Sequence, residues 1–331
     1  MNIVVLAGGV GGSRFLLGVR EWVRRSTAAG GGDHAITAIV NTGDDMWHVG
    51  LRITPDLDTI MYALAGINDT ERGWGRVGET ERVSAELQAW GVGWPWFTLG
   101  DLDLGAHITR SSWLREGLPL HEVVERLTAR WPLGVRMLPA TDQEVETHVR
   151  VEGEGSSSQE LHFQEWWTRY RASLPALEFV QRGLADSRPA PGVEAALAEA
   201  DVILLAPSNP VVSIGTIIAI PGMRDALLAA SAPIVGVSPI IGGAVVRGMA
   251  DACLTAIGVE TSAAAVGRLY GARGGGGLLD GWLVATEDAD AVAELAADGL
   301  TATSAPLWMR DPDSSAALAG AAIDLALAPR D

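Results

Sequence analysis

Residues 2–7, NIVVLA, are uniformly apolar after Asn2 and run into GGVGG. A half-exposed strand alternates apolar and polar residues, so a run this uniform belongs to a strand buried on both faces, as in parallel sheets. The next segment, FLLGVREWVRR, spaces Phe15, Val19, Trp22 and Val23 onto one helical face, with AGGVGGSR before it as a loop. A second apolar run, AITAIVN, follows at 35–41. Strand, loop, helix and strand in that order open a parallel, doubly wound α/β sheet. The length of 331 residues permits one large α/β domain or two ordinary ones.

Farther along, apolar spacings of three and four predict helices over 80–90, 102–116 and 120–131. Pro119, followed by Glu122 and Glu125, reads as an ordinary start for the last of these. Segments 134–138 and 146–164 read as strands, with VEGEGSSSQ (151–159) as a polar turn and 175–192 as an irregular connection. Apolar strands resume at 201–206, 233–243 and 282–285, with helices at 288–297 and 313–327. The simplest architecture is one Rossmann-like, mostly parallel core built from both chain ends. It carries a largely helical insertion at about 60–132.

Between Asn41 and Thr59 the chain reads NTGDDMWHVGLRITPDLDT, pairing Asp44 with Asp45 and Asp56 with Asp58, with Arg52 between the pairs. Hard divalent cations take carboxylate oxygens, and phosphate oxygens complete their shell, so this is the pattern of a Mg²⁺-assisted phosphate-ester site. Asp, Asn, Gly and Pro also make turns, and a single aspartate here would carry little. The glycine loop fits the same chemistry: Gly9, Gly11 and Gly12 would let backbone N–H groups approach phosphate at a helix N-terminus. The dinucleotide fingerprint G-x-G-x-x-G fails, because its third glycine position is Arg14.

All 24 basic residues are arginine. The chain therefore has no P-loop, Schiff-base or general-base lysine, although codon usage alone produces such a pattern. Cationic help must come from arginine, helix N-termini or metal. LAGGVGGSR (6–14) resembles the loop of sugar-nucleotide pyrophosphorylases, without the lysine those enzymes place after it. A net charge of −17 argues against nucleic-acid or anionic-membrane partners, but not against a small anionic substrate. No run of eighteen apolar residues predicts a membrane span, and the start lacks a basic leader, so the expected location is cytoplasmic. The single cysteine, Cys253, excludes an internal disulfide or a multi-thiolate metal site and reads as a small buried hydrophobe.

Three further segments carry candidates. APSNPVVSIG (206–215) ends a core strand and offers Ser208, Asn209 and Ser213 to a phosphate or nucleobase, Ser213 serving equally as a helix cap before Ile214. LGDLDLGAHITRS (99–111) places His107 and Arg110 three apart on one helical face, with Asp101 and Asp103 ahead of them. HFQEWWTRYR (162–171) reads as a ring-stacking surface or, equally, a packing or subunit interface.

Taken together, these blocks resemble the CofD family of 2-phospho-L-lactate transferases, most closely its actinobacterial branch of phosphoenolpyruvate transferases in coenzyme F420 biosynthesis. The resemblance runs nearly end to end, through LAGGVGGSRFLLGV (6–19), VNTGDD (40–45), PDLDT (55–59), RGWG (72–75), 99–111, LPATD (138–142), 162–171, 206–215, SPIIGG (238–243) and RGMAD (247–251). Where the family commonly reads LGDRDLATH, this chain has Leu102, Gly105 and Ala106, which removes an arginine that would meet an anion.

The resemblance implies a single CofD-like domain, with core 1–59 and 133–331, and transfer of a three-carbon phospho-acid from a guanylylated donor to the deazaflavin Fo, releasing GMP. It implies Fo contacts at Asp58 and Thr98, with His107 and Arg110 nearby. On this reading Asp58 and Asp45 are catalytic, Asp44, Asp45 and Asp58 hold Mg²⁺, and Gly9, Gly11, Gly12, Ser208, Asn209 and Ser213 hold the nucleotide and phosphates. A homodimer is implied as well. The competing readings are a sugar-nucleotide-type nucleotidyltransferase and a non-catalytic nucleotide-binding protein of the same fold.

Overall fold

The computed structural model describes residues 1–153 and 157–329; the centre of the turn expected at 151–159 lies outside them. Strand β1 (Asn2–Ala7) leads into α1 (Gly9–Ala28) and returns as β2 (Ala35–Val40). A hairpin, β3 (Met46–His48) and β4 (Leu51–Ile53), precedes four helices: α2 (Pro55–Ala65), α3 (Arg82–Ala89), α4 (Asp101–Arg115) and α5 (Leu120–Thr128). Strand β5 (Arg136–Pro139) rejoins the core, and β6 (Glu146–Glu152), β7 (Ser158–His162) and β8 (Ala176–Arg182) build a separate antiparallel sheet.

The second half of the core alternates again. It runs α6 (Val193–Ala198), β9 (Val202–Leu205), α7 (Ile214–Ala219), α8 (Met223–Ala229) and β10 (Ile234–Val237). A short ribbon of β11 (Ile240–Ile241) and β12 (Ala244–Val245) leads to α9 (Ala250–Ala256) and α10 (Ala263–Tyr270). Then come β13 (Gly281–Ala285), α11 (Asp290–Ala297), β14 (Ala302–Ala305) and α12 (Pro312–Leu327).

Seven strands form one parallel sheet in the order β14-β13-β10-β9-β1-β2-β5. The uniform apolar run of β1 has its expected cause. Ile3, Val5 and Ala7 pack with α1, α2 and α12 on one face, while Val4 and Leu6 pack with α6, α7 and α8 on the other. Phe15 and Val19 are fully buried in the first layer, with Trp22 and Val23 against it. From β1 the chain moves one way to β2 and β5, then the other way to β9, β10, β13 and β14. The crevice between the carboxyl ends of β1 and β9 is therefore the topological switch point, where open α/β sheets bind ligands.

Several local expectations need correction. The glycine segment is not a loop up to Arg14, because α1 already begins at Gly9. Residues 176–182 are not irregular: β8 pairs antiparallel with β6, a partner supplied from outside the segment. Ser213 precedes α7 without making a side-chain cap. Within HFQEWWTRYR, Glu165–Arg169 is a π-turn. Its Trp166 is buried, with Nε1 donating to the Leu174 carbonyl at 2.7 Å, which makes that ring core rather than surface.

Candidate functional site

The crevice is closed at its base by hydrogen bonds between distant segments. Ser208 Oγ accepts from the Gly8 N–H at 3.0 Å and donates to the Gly8 carbonyl at 2.7 Å, tying the end of β1 to the loop after β9. A side chain on Gly11 would run into the Pro207 carbonyl, and one on Gly12 would meet Ser208 Oγ at 2.9 Å. Two of the three glycines assigned to phosphate are thus required by close packing of α1 on this loop. Asn209 is similarly engaged: its Oδ1 accepts from the Val211 and Val212 N–H groups at 2.9 and 3.2 Å. Ser213 differs, because its Oγ sits 2.8 Å from where a Gly8 side chain would begin, facing the loop.

Above this base lie the aspartates. Pro55 opens α2, so Asp56 and Asp58 fall in its first turn, where carboxylates favour the helix dipole. Two residues on a helix are about 200° apart, so the two side chains leave in opposite directions. Asp56 points back at the glycine loop: it accepts from Asn41 Nδ2 at 2.9 Å and from the Gly9 N–H. Asp44 and Asp45 follow β2 on the same edge and are 6% and 0% exposed. Hairpin β3–β4 turns the chain back so that Arg52 lies 3.8 Å from Asp45 and 3.3 Å from Glu146.

Asp44 Oδ1 and both Asp45 carboxylate oxygens are buried without a hydrogen-bond partner among the described residues. Burial, with the neighbouring carboxylates Asp56 and Asp45, holds the Asp44 pKa well above the usual range. Burial does the same to Asp45, against the pull of Arg52 and Arg110. Asp56 is pushed up to about 6 by burial, partly offset by Asn41 and the Gly9 N–H. Clustered buried carboxylate oxygens without hydrogen-bond donors fit a hard divalent cation.

Asp58 belongs to a second network. Arg110 Nη2 pairs with its Oδ1, and Thr54 Oγ1 donates to its Oδ2 at 3.2 Å. Arg110 Nη1 also donates to the Arg52 carbonyl at 3.0 Å and lies 2.9 Å from His107 Nδ1. His107 Nε2 is 3.3 Å from Asp103, whose Oδ1 accepts from Tyr62 Oη at 2.6 Å. Asp58, Asp103 and His107 are close enough to share a cation, yet Asp58 already has donors on both oxygens. Each of those oxygens keeps a second lone pair open to a cation. His107 and Arg110 are each 1% exposed, so they stand behind Asp58. Thr98 lies on the loop before α4, outside this network.

Asn41, Asp56 and Tyr62 were not among the residues assigned from the sequence. For Asp56 the signal was present in the two-residue spacing, which on a helix separates it from Asp58. Asn41 and Tyr62 carry no local signal, since their partners lie 15 and 41 residues away.

The family model described as 2-phospho-L-lactate transferase CofD matches residues 3–308. The chain belongs to the CofD family. It is therefore a transferase. Among CofD relatives, the phosphoenolpyruvate transferase of Thermobifida fusca is 55% identical over 99% of this chain and 98% of its own. That of Streptomyces griseus is 54% identical over 98% of each. A solved UPF0052-family protein from Bacillus halodurans shares the fold at 17% identity and TM-score 0.59, over 97% of this chain and 99% of its own. No helix among the described residues is long and apolar enough to cross a membrane.

The acidic centre makes stability depend on pH. Folding raises Asp56 from 3.8 to about 6, so the folded protein holds a proton that the unfolded chain has released. Stability of the metal-free protein should fall as pH rises from about 4 to about 6, by at most about 3 kcal/mol from this group. Above that window both states are ionised and the loss is complete. Urea unfolding in chelator across this range, compared with Asp56→Asn, checks it. A slope no flatter in the variant assigns the effect elsewhere.

Proposed function

We propose that this transferase moves a phosphoenolpyruvyl group from a guanylylated donor to the terminal ribityl hydroxyl of Fo. The hydroxyl oxygen bonds to the β-phosphorus of the donor, the bond from that phosphorus to the bridging oxygen breaks, and GMP leaves. The observation that carries this reading is the buried carboxylates Asp44 and Asp45, whose Oδ1 and two oxygens respectively have no hydrogen-bond donor among the described residues, at the sheet edge of a CofD-family chain. Relatives named phosphoenolpyruvate transferase favour that three-carbon unit over 2-phospholactate or 3-phosphoglycerate.

On this reading Asp44 and Asp45 hold Mg²⁺, which when bound supplies positive charge to the diphosphate. The Gly9 end of α1 and Ser213 face the nucleotide's phosphates, and Ser208 fixes the loop that positions them. Asp58 receives the proton of the acceptor hydroxyl. Burial raises its pKa, against the pull of Arg110 and His107, making it a better acceptor than a solvated carboxylate. Arg110 and Thr54 set where its oxygens point.

Purified protein supplied with Fo, Mg²⁺ and each guanylylated donor, read by product mass, tests the reaction. Release of pyrophosphate from a nucleoside triphosphate would instead indicate a nucleotidyltransferase. Asp58→Asn should lower kcat by about 10²–10⁴-fold, the range for general-base loss, while the variant stays folded by circular dichroism. Near-normal turnover in that variant removes Asp58 from the proton transfer.

A further inference from the structure

Helix α1 is 20 residues long and starts at the switch point, yet it brings no anion of its own there. No acidic residue stands in its first turn, and Gly8 before it supplies no side-chain cap. A helix leaves its first N–H groups unpaired and partially positive, so this end draws anions. Here the anion is Asp56, brought from α2. It accepts from the Gly9 N–H, and its Oδ2 accepts from Asn41 Nδ2 at 2.9 Å. The fit is close: a side chain on Gly8 would begin 2.6 Å from Asp56 Oδ2 and 2.8 Å from Ser213 Oγ.

The fold holds this carboxylate in place. Asn41 is fully buried; its Nδ2 also donates to the Val212 carbonyl at 3.3 Å, and its Oδ1 accepts from the Gly43 N–H at 3.0 Å. An amide fixed at both ends keeps Asp56 against the glycine loop, where a mobile surface group would drift away. Asp44 is close enough for the Asp56 charge to act on it, and its Oδ1 is buried without a donor among the described residues. An anion arriving at the start of α1 therefore meets the helix N–H groups and two buried carboxylates together.

We propose that Asp56 is a charge gate: it reserves the start of α1 against bare anions and admits a diphosphate only when a divalent cation on Asp44 and Asp45 offsets the repulsion. This rests on the reading of the donor as guanylylated and of Asp44 and Asp45 as the residues that hold the cation. Asp56 is then a specificity-determining residue, acting by charge on what the neighbouring groups bind. Repulsion built against the wrong ligand is a common source of specificity. Inorganic phosphate and metal-free nucleotides are refused. GMP, which keeps one phosphate after transfer, no longer offers the cation a diphosphate, so the same carboxylate favours its release.

The test is calorimetric titration of GDP, and separately of pyrophosphate, into wild type, Asp56→Asn and Asp56→Glu, each with Mg²⁺ and with chelator. In chelator, Asp56→Asn should bind both probes about 10- to 100-fold more tightly than wild type, the scale of removing one like charge from a binding surface. Mg²⁺ should tighten GDP by about 100-fold or more in wild type and by about 10-fold or less in Asp56→Asn. Asp56→Glu keeps the charge and should stay within a few-fold of wild type in chelator. Melting temperatures confirm that each variant is folded. If folded Asp56→Asn binds the probes in chelator no better than wild type, Asp56 is only a helix cap and the proposal falls alone. It falls equally if Asp56→Glu relaxes binding as much as Asp56→Asn, because the cause is then shape. If pyrophosphate behaves as expected but GDP does not bind with Mg²⁺, the guanylylated-donor reading fails while the gate stands. If wild type binds neither probe with Mg²⁺, both fall.

Discussion

Replacing Asp45 by asparagine should abolish turnover and, in the metal-free protein, raise stability. Asp45 is 0% exposed, both its oxygens lack hydrogen-bond partners among the described residues, and Asp58 and Asp56 add repulsion to its burial. Arg52 attracts it at 3.8 Å but keeps Glu146 at 3.3 Å when the charge is removed. The folded state therefore carries a charge that it holds poorly without a cation, and the neutral isostere removes that cost. A gain of about 1–3 kcal/mol is expected, on the scale of one unsatisfied buried group. For a chain of this size it raises Tm by roughly 1–4 °C. Wild type should gain Tm with added Mg²⁺ through ligand linkage, and the variant should gain far less. Turnover should fall by about 10³-fold or more, because charge neutralisation at a transferring phosphoryl group is the main catalytic term available. A variant less stable than wild type would mean that the attraction of Arg52 outweighs burial. One with ordinary turnover would move the diphosphate away from this centre.

What the sequence made legible follows from how local each cause is. The buried strands and α1 were readable because each carries its own apolar pattern, and so was the clustering of aspartates after β2. The hairpin β3–β4 and strand β14, ATSA, lack such a pattern. β14 is an edge strand defined by its parallel pairing with β13. β8 was missed for the same reason, since its partner is Glu146–Glu152. At the site, spacing found the four aspartates, but only the helix beginning at Pro55 divides Asp56 from Asp58. The glycine motif mixes two causes: Gly11 and Gly12 answer to Pro207 and Ser208, about 195 residues away, which no local reading separates from phosphate binding.

Arg110→Met should destabilise the protein more than any single change at the acidic centre. The guanidinium is 1% exposed and is held by Asp58, the Arg52 carbonyl and His107, so it joins α4 to α2 and β4. Burial opposes its charge, but Asp58, Tyr62, Asp45 and Asp103 more than compensate and raise its pKa. Methionine fills part of the space and leaves Asp58 buried without its cation, a loss of about 3–5 kcal/mol for one partner of a buried ion pair. Adding Asp58→Asn removes the stranded charge, so the double variant should be more stable than Arg110→Met alone, though still below wild type. That ordering separates the electrostatic cause from lost packing, because a packing defect would persist or grow in the double variant. Urea midpoints for the wild type, both single variants and the double variant complete the cycle. A loss below about 1 kcal/mol for Arg110→Met would place the pair among those whose desolvation cancels their attraction. Asp58 would then be held in place by Thr54 and the start of α2 rather than by the arginine behind it.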